Sequence, residues 1–236
     1  MDLPRIAALL EPFLDRELSR LQLEQISTYI DLLVRWNARI NLTAIREPED
    51  IVTRHFGESF FLARHLFPAR ADQTLLPASP SEPYQMQASS TAPRANANRV
   101  RVIDLGSGAG FPAMPLKIWT PEIQLTLIES NHKKVAFLRE VARALTLTNV
   151  DVISERAETL AASPKFPRAD VVTFRAVEKF DQILPTAAAL KAPDARLALL
   201  IGTAQVPKLA AQPTLTWQTI PIPQSAARVL AIGVPQ

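Results

Sequence analysis

The chain has no cysteine, which excludes disulfides, thiolate metal sites and any chemistry that runs through a cysteine adduct. Its three histidines, His55, His65 and His132, are too scattered for the spacing of a metal site, so no metal is expected. No apolar run approaches the length of a membrane span. The start, Met1-Asp2-Leu3-Pro4-Arg5, lacks the basic segment and apolar stretch of a secretory signal. A cytoplasmic location without a membrane partner is therefore expected. Glycine is scarce, six residues among 236, yet three of the six stand at Gly106, Gly108 and Gly110. No lysine follows them as a phosphate-binding loop requires, which sets nucleoside triphosphates aside. Counted from Gly106, the sixth position is Phe111, too bulky for the third glycine of a dinucleotide turn.

What stands at 102–112 is an apolar run that ends in an acid, three glycines alternating with small residues, and a proline: Val102-Ile103-Asp104-Leu105-Gly106-Ser107-Gly108-Ala109-Gly110-Phe111-Pro112. This reads as a buried strand feeding a tight turn onto a helix N-terminus, where bare backbone lets a nucleotide-like ligand approach. A second acid, Glu129, closes the next apolar run, Leu125-Thr126-Leu127-Ile128. A ligand without phosphate, cationic at its amino acid end and carrying ribose hydroxyls, suits two such acids. That ligand is S-adenosylmethionine, with Asp104 toward the amino acid end and Glu129 toward the ribose. The competing interpretation is a glycine turn that only packs a helix onto a sheet.

An apolar fraction of 47% is ample for one core, and the net charge of +3 permits an RNA partner without demanding one. Residues 1–70 read as a helical extension packed on the core, with Ile26, Tyr29, Leu33, Trp36 and Ile40 on one helix face and a second helix after Pro48. Residues 71–98, with Pro77, Pro80, Pro83 and Pro93 among Ser, Ala, Gln, Thr and Asn, read as a flexible, exposed insertion. From 99 to 236 strands and helices alternate. Strands are predicted at 100–105, 124–129, 150–154, 170–174 and 195–201, and helices at 112–119, 131–146 and 179–190. Two closing strands follow near 214–217 and 228–232, at least one of them antiparallel. The fold class is α/β, a doubly wound, mostly parallel, seven-stranded Rossmann-like sheet. Its carboxyl edge should gather Asp104 to Phe111, Glu129, the residues after Ser154, and Arg175.

Several segments together resemble the RsmG (GidB) family, bacterial methyltransferases of small-subunit ribosomal RNA. They are Leu33-Val34-Arg35-Trp36-Asn37 with Ile40-Asn41-Leu42-Thr43-Ala44-Ile45, Arg54-His55-Phe56-Gly57-Glu58-Ser59, Asp104 through Pro115, Glu129-Ser130-Asn131, Arg156-Ala157-Glu158, and Phe174-Arg175-Ala176. The glycine motif is general to methyltransferases; the N-terminal segment and the Arg-Ala pair are particular to this family. The chain departs from the family pattern at Glu58, Ala113 and Ile201, where Asp, Gly and Lys are usual. The resemblance implies that Gly106 and Phe111 line the cofactor, that Ala157 and Glu158 flank the adenine, and that Arg175, the candidate catalytic residue, sits where cofactor and target base meet. It implies as substrate a guanosine in the 530 loop of 16S rRNA, methylated at N7, within the 30S subunit or its assembly intermediates, by a protein acting as a monomer. Arg35, Arg39, Arg46 and Arg54 are the candidate RNA contacts, since they cluster in the extension.

Guanine N7 carries an in-plane lone pair and no proton, so its methylation needs positioning rather than a general base. The absence of a catalytic cluster agrees with that. Amino-group methylation favours an Asn/Asp-Pro-Pro-aromatic segment where Thr173-Phe174-Arg175-Ala176 stands, and pyrimidine C5 methylation needs the missing cysteine. A small-molecule methyltransferase on the same fold, and a non-catalytic, cofactor-sensing ribosome-binding protein, remain open as alternatives.

Overall fold

The computed structural model describes residues 1–68, 99–175 and 179–236. The expected insertion at 71–98 and Ala176 lie outside the described residues. Seven strands, β1 (Arg101–Leu105), β2 (Gln124–Ile128), β3 (Val150–Ile153), β4 (Ala169–Arg175), β5 (Lys191–Gly202), β6 (Leu215–Pro221) and β7 (Arg228–Pro235), form one sheet in the order β3-β2-β1-β4-β5-β7-β6. The strands β1 to β5 pair in parallel, and β7 runs antiparallel to β5 and β6. The order reverses at β1, so the crevice outside the carboxyl ends of β1 and β4 is the place where such a sheet binds ligands.

Alternation along the strands assigns the two faces. Val102, Val171, Ala198 and Leu200 point to one apolar cluster, while Ile103, Val172, Phe174, Leu197 and Leu199 point to the other. The second face is covered by α7 (Ala157–Ala162) and α8 (Phe180–Leu190). On the first face lie α5 (Ala113–Trp119) and α6 (His132–Ala144), and beyond them the N-terminal helices.

Those helices are α1 (Leu3–Leu10), α2 (Arg20–Asn37), α3 (Pro48–Asp50) and α4 (Glu58–Leu66). A reciprocal cap starts α2: the Gln22 amide donates to Ser19 Oγ at 3.2 Å, and the Ser19 amide donates to Gln22 Oε1 at 2.9 Å. Its face of Ile26, Tyr29, Ile30 and Leu33 is buried, each side chain contributing roughly 1.5–3 kcal/mol by leaving water. Ile40 falls past the end of α2 and packs on the same cluster from the following turn. Between α3 and α4 the chain keeps turning, but as a wider π-wound segment, Ile51–Gly57, a form of helix concentrated at functional positions.

The boundaries that differ most from the sequence reading are the start of β5 and the end of β6, which runs on to Pro221. The strand expected to start at 195 starts at Lys191, because Ala169 pairs with Lys191 before a bulge shifts the register to Val171 with Arg196. Pro193 and Asp194 ride on that bulge, exposed, where the missing N–H of proline does no harm.

Candidate active site

The turn after β1 is left-handed at each of its glycines, with φ of 61° at Gly106, 53° at Gly108 and 84° at Gly110. That region is costly for residues with a Cβ. At Gly110 there is also no space: a Cβ would collide with the Tyr29 hydroxyl and stand 3.0 Å from Met114 Cγ. Gly110→Ala should therefore destabilise the fold by about 2 kcal/mol, read as a lowered urea midpoint with unchanged slope.

The turn is held from three sides. Ser107 N donates to Ile128 O at 3.1 Å, Tyr29 Oη donates to Ala109 O at 2.6 Å, and Gly108 N donates to Glu129 Oε2 at 2.9 Å. Glu129 also accepts from Asn131 N through Oε1 at 2.8 Å, so the acid at the tip of β2 braces the turn and the start of α6 together. Asp104 lies beneath, fully buried, and among the described residues neither of its carboxyl oxygens has a hydrogen-bond partner. Burial, with the charge of Glu129 adding to it, pushes its carboxyl well above the usual range. A buried acid short of partners is short of a cation, which fits the ammonium end of S-adenosylmethionine.

A cavity of about 330 Å³ opens next to the turn, within the range of small-ligand pockets. Gly106, Glu129, Ala157 and Glu158, four of the candidate cofactor residues, line it together with Ser130, Glu155, Arg156 and two apolar walls, Ile128 and Ile183. Glu155 and Arg156 follow directly after β3 and were covered by the expectation for residues after Ser154. Ile183 comes from α8, and only the packing of α8 beside α7 brings it there. Phe111 takes another place: its ring is buried, stacked on Tyr29 (centroids 5.2 Å apart, planes at 10°) and on His55 (4.6 Å, 17°), with Phe56 edge-on at 5.1 Å.

Arg175 ends β4 and enters a buried ion pair. Its Nη2 stands 3.2 Å from Glu58 Oε2, and the same oxygen is 3.0 Å from Nε of Arg228, the first residue of β7. Nη1 of Arg175 lies 2.7 Å from His55 Nδ1. A guanidinium can only donate, so Nδ1 accepts and the ring proton sits on Nε2, which donates to Thr43 Oγ1 at 2.8 Å. Burial, then the charges of Arg175, Arg54 and Arg228, hold His55 well below its ordinary value. It is a neutral ring with both nitrogens engaged. Burial lowers Arg175 to about 10 against the opposing pull of Glu58.

The four candidate RNA contacts, Arg35, Arg39, Arg46 and Arg54, are exposed. Arg35 pairs with Glu140 at 3.7 Å, and Arg54 lines a second cavity of about 680 Å³. Glu58, in the Arg54-to-Ser59 segment, reads from sequence evenly as a helix contact or as a group near the site, while nothing in the sequence points to Arg228.

A sheet of this order, entered through a three-glycine turn with carboxylates at the tips of its central strands, defines a Rossmann-like S-adenosylmethionine-dependent methyltransferase. Within that class the sequence is specific: the chain belongs to the GidB family, rRNA small subunit methyltransferase G, which it matches over residues 22–74 and 86–219. The ribosomal RNA small subunit methyltransferase G of Chromobacterium violaceum is 32% identical over 197 residues, covering 84% of this chain and 78% of the relative. That of Desulfitobacterium hafniense is 36% identical over 178 residues, covering 75% and 62%. That of Xylella fastidiosa is 39% identical over 158 residues, covering 66% of this chain and 60% of the relative. The matched stretch thus spans under two thirds of the latter two relatives. No helix among the described residues is long and apolar enough to cross a membrane.

Proposed function

We propose that the chain methylates N7 of a guanosine in the 530 loop of 16S rRNA, guanine 527 by family resemblance, on the 30S subunit or an assembly intermediate in the cytoplasm, as a monomer. The observation that carries the choice of N7 is the state of His55. It is the histidine nearest the end of β4, and both its nitrogens are committed, one accepting from Arg175 and one donating to Thr43. It has no free lone pair for a substrate proton, and the neighbouring Arg175 is a cation. Such a site suits an acceptor with no proton to lose. The family match and the names of the relatives support ribosomal RNA as the substrate.

In this reading the chain's work is placement. Asp104 and the turn at Gly106–Gly110 hold the donor's amino acid end, while Glu129, Ala157 and Glu158 hold its adenosine. Bound there, S-adenosylmethionine supplies a methyl group on a cationic sulfur. Arg175, fixed by Glu58 and His55, positions the substrate side of the crevice with its charge. Arg35, Arg39, Arg46 and Arg54 meet the RNA backbone, which makes binding salt-dependent.

The test is a map of N7-methylguanosine across 16S rRNA from cells with and without the gene, with the purified protein added back to 30S particles. One modification in the 530 loop should vanish and return. An unchanged map, with methyl transfer appearing only in metabolite extracts, would replace the rRNA reading by a small-molecule one.

A further inference from the structure

The 680 Å³ cavity shares no lining residue with the adenosine-sized one. Its walls are Thr53 and Arg54 of the π-wound segment, Glu58 at the start of α4, Gly202 at the end of β5, the 223–227 loop between β6 and β7, and Arg228. The charges around it do not balance. Glu58 is one carboxylate shared by two guanidiniums through a single oxygen. Asp50, exposed on the wall, is a second carboxylate, and Arg54 a third cation. Among the described residues, Arg175, which pairs with Glu58 without lining the cavity, brings the set to three guanidiniums against two carboxylates.

The hydrogen bonds do not balance either. The Arg228–Glu58 contact is an ion pair without hydrogen-bond geometry. Among the described residues, no hydrogen-bond partner reaches Arg228 Nη2 or Arg175 Nε, both buried. Buried donors on a cation are costly to leave unmade. An anion presenting several acceptor oxygens from the cavity would meet the surplus charge through Arg54 and the exposed part of Arg228, and a guanidinium fork matches the geometry of a phosphate. The volume exceeds that of a lone anion and leaves room for the nucleotide attached to it.

We propose that this cavity receives a backbone phosphate of the RNA strand beside the target guanosine, gripped by Arg228 and Arg54, with Glu58 fixing the orientation of Arg228. The assignment rests on the rRNA reading above. It adds Arg228, at the start of a strand far from the extension in sequence, to the RNA-contacting set.

The experiment measures binding of a 530-loop RNA hairpin to the full chain across a salt series, for the wild type, Arg54→Gln, Arg228→Gln and the control Arg20→Gln. Arg20 is an exposed residue paired with Glu24 on α2. Each loss of a phosphate contact should shrink the slope of log affinity against log salt by roughly 0.7–0.9. Arg54→Gln and Arg228→Gln should each show that shrinkage and a several-fold weaker affinity, with S-adenosylmethionine affinity by calorimetry unchanged. Arg20→Gln should show neither effect. Arg54 is exposed, so its variant keeps the test decisive if Arg228→Gln folds poorly. Wild-type slopes in both variants, or an equal loss in Arg20→Gln, overturn the proposal while methylation of 30S particles leaves the function standing. If the wild type neither binds the hairpin nor methylates 30S particles, the rRNA reading falls. Melting shifts with inorganic phosphate, abolished by Arg54→Gln, would then reassign the cavity to a free anion and overturn its RNA role.

Discussion

Asp104→Asn is expected to raise the melting temperature at neutral pH and at the same time weaken S-adenosylmethionine binding about ten- to a hundredfold, the equivalent of roughly 1.5–3 kcal/mol for a hydrogen bond to a charged group. The two effects share one cause. The carboxyl is fully buried and among the described residues neither oxygen has a partner, so the fold favours its protonated form. A group whose value is raised on folding contributes stability below its unfolded value, near 3.8, and loses that contribution as pH rises through the raised folded value. Above pH 4 the wild type loses it progressively, while an amide has no such charge to bury. A plot of melting temperature against pH should fall above 4 for the wild type and be flatter for the variant. A variant that melts lower and binds the cofactor as tightly would mean that Asp104 is a structural hydrogen-bonding group with no part in the site.

Glu58→Gln is expected to destabilise the protein by about 3–5 kcal/mol, the usual consequence of removing one partner from a buried ion pair. The loss here has two sources, because the one carboxylate faces both Arg175 and Arg228 and its side chain is 3% exposed. Arg175, 7% exposed, would keep only the acceptor on His55. Replacing the ion pair as a unit should recover much of the loss: Glu58→Gln with Arg175→Met leaves a single partly exposed guanidinium, Arg228, behind. Urea unfolding of the two singles and the double gives the coupling directly. Strict additivity of the single costs would show that the three side chains do not act as a set.

The fold was legible where its signals are local. Each of the five parallel strands is an apolar run closed by turn residues, and the Asp104-to-Pro112 segment carries its glycines, acid and proline within one short stretch. Part of the lining of the 330 Å³ cavity was legible for the same reason, since Glu129, Ala157 and Glu158 follow strands that the pattern already located. The π-wound segment was not, because Ile51, His55 and Phe56 face inward under a narrow or a wide helical turn alike. Nor was the surrounding of Arg175. Its strand end was placed correctly, but the direction of its side chain depends on His55, 120 residues earlier, and on Glu58 and Arg228, which only the packing of α4 against the sheet brings together. Phe111 shows the same limit: the turn was located from its own residues, while the ring's neighbours come from α2 and the π-wound segment.

The stack of His55, Phe111 and Tyr29 makes the donor loop and the helical arm a single inherited unit. A recombination that exchanged the first 68 residues for an arm from an unrelated protein would strip the Phe111 ring of its company and the Ala109 carbonyl of its hydroxyl. Substitutions on the outer side of the arm, at exposed positions like Arg39 and Arg46, leave that packing untouched.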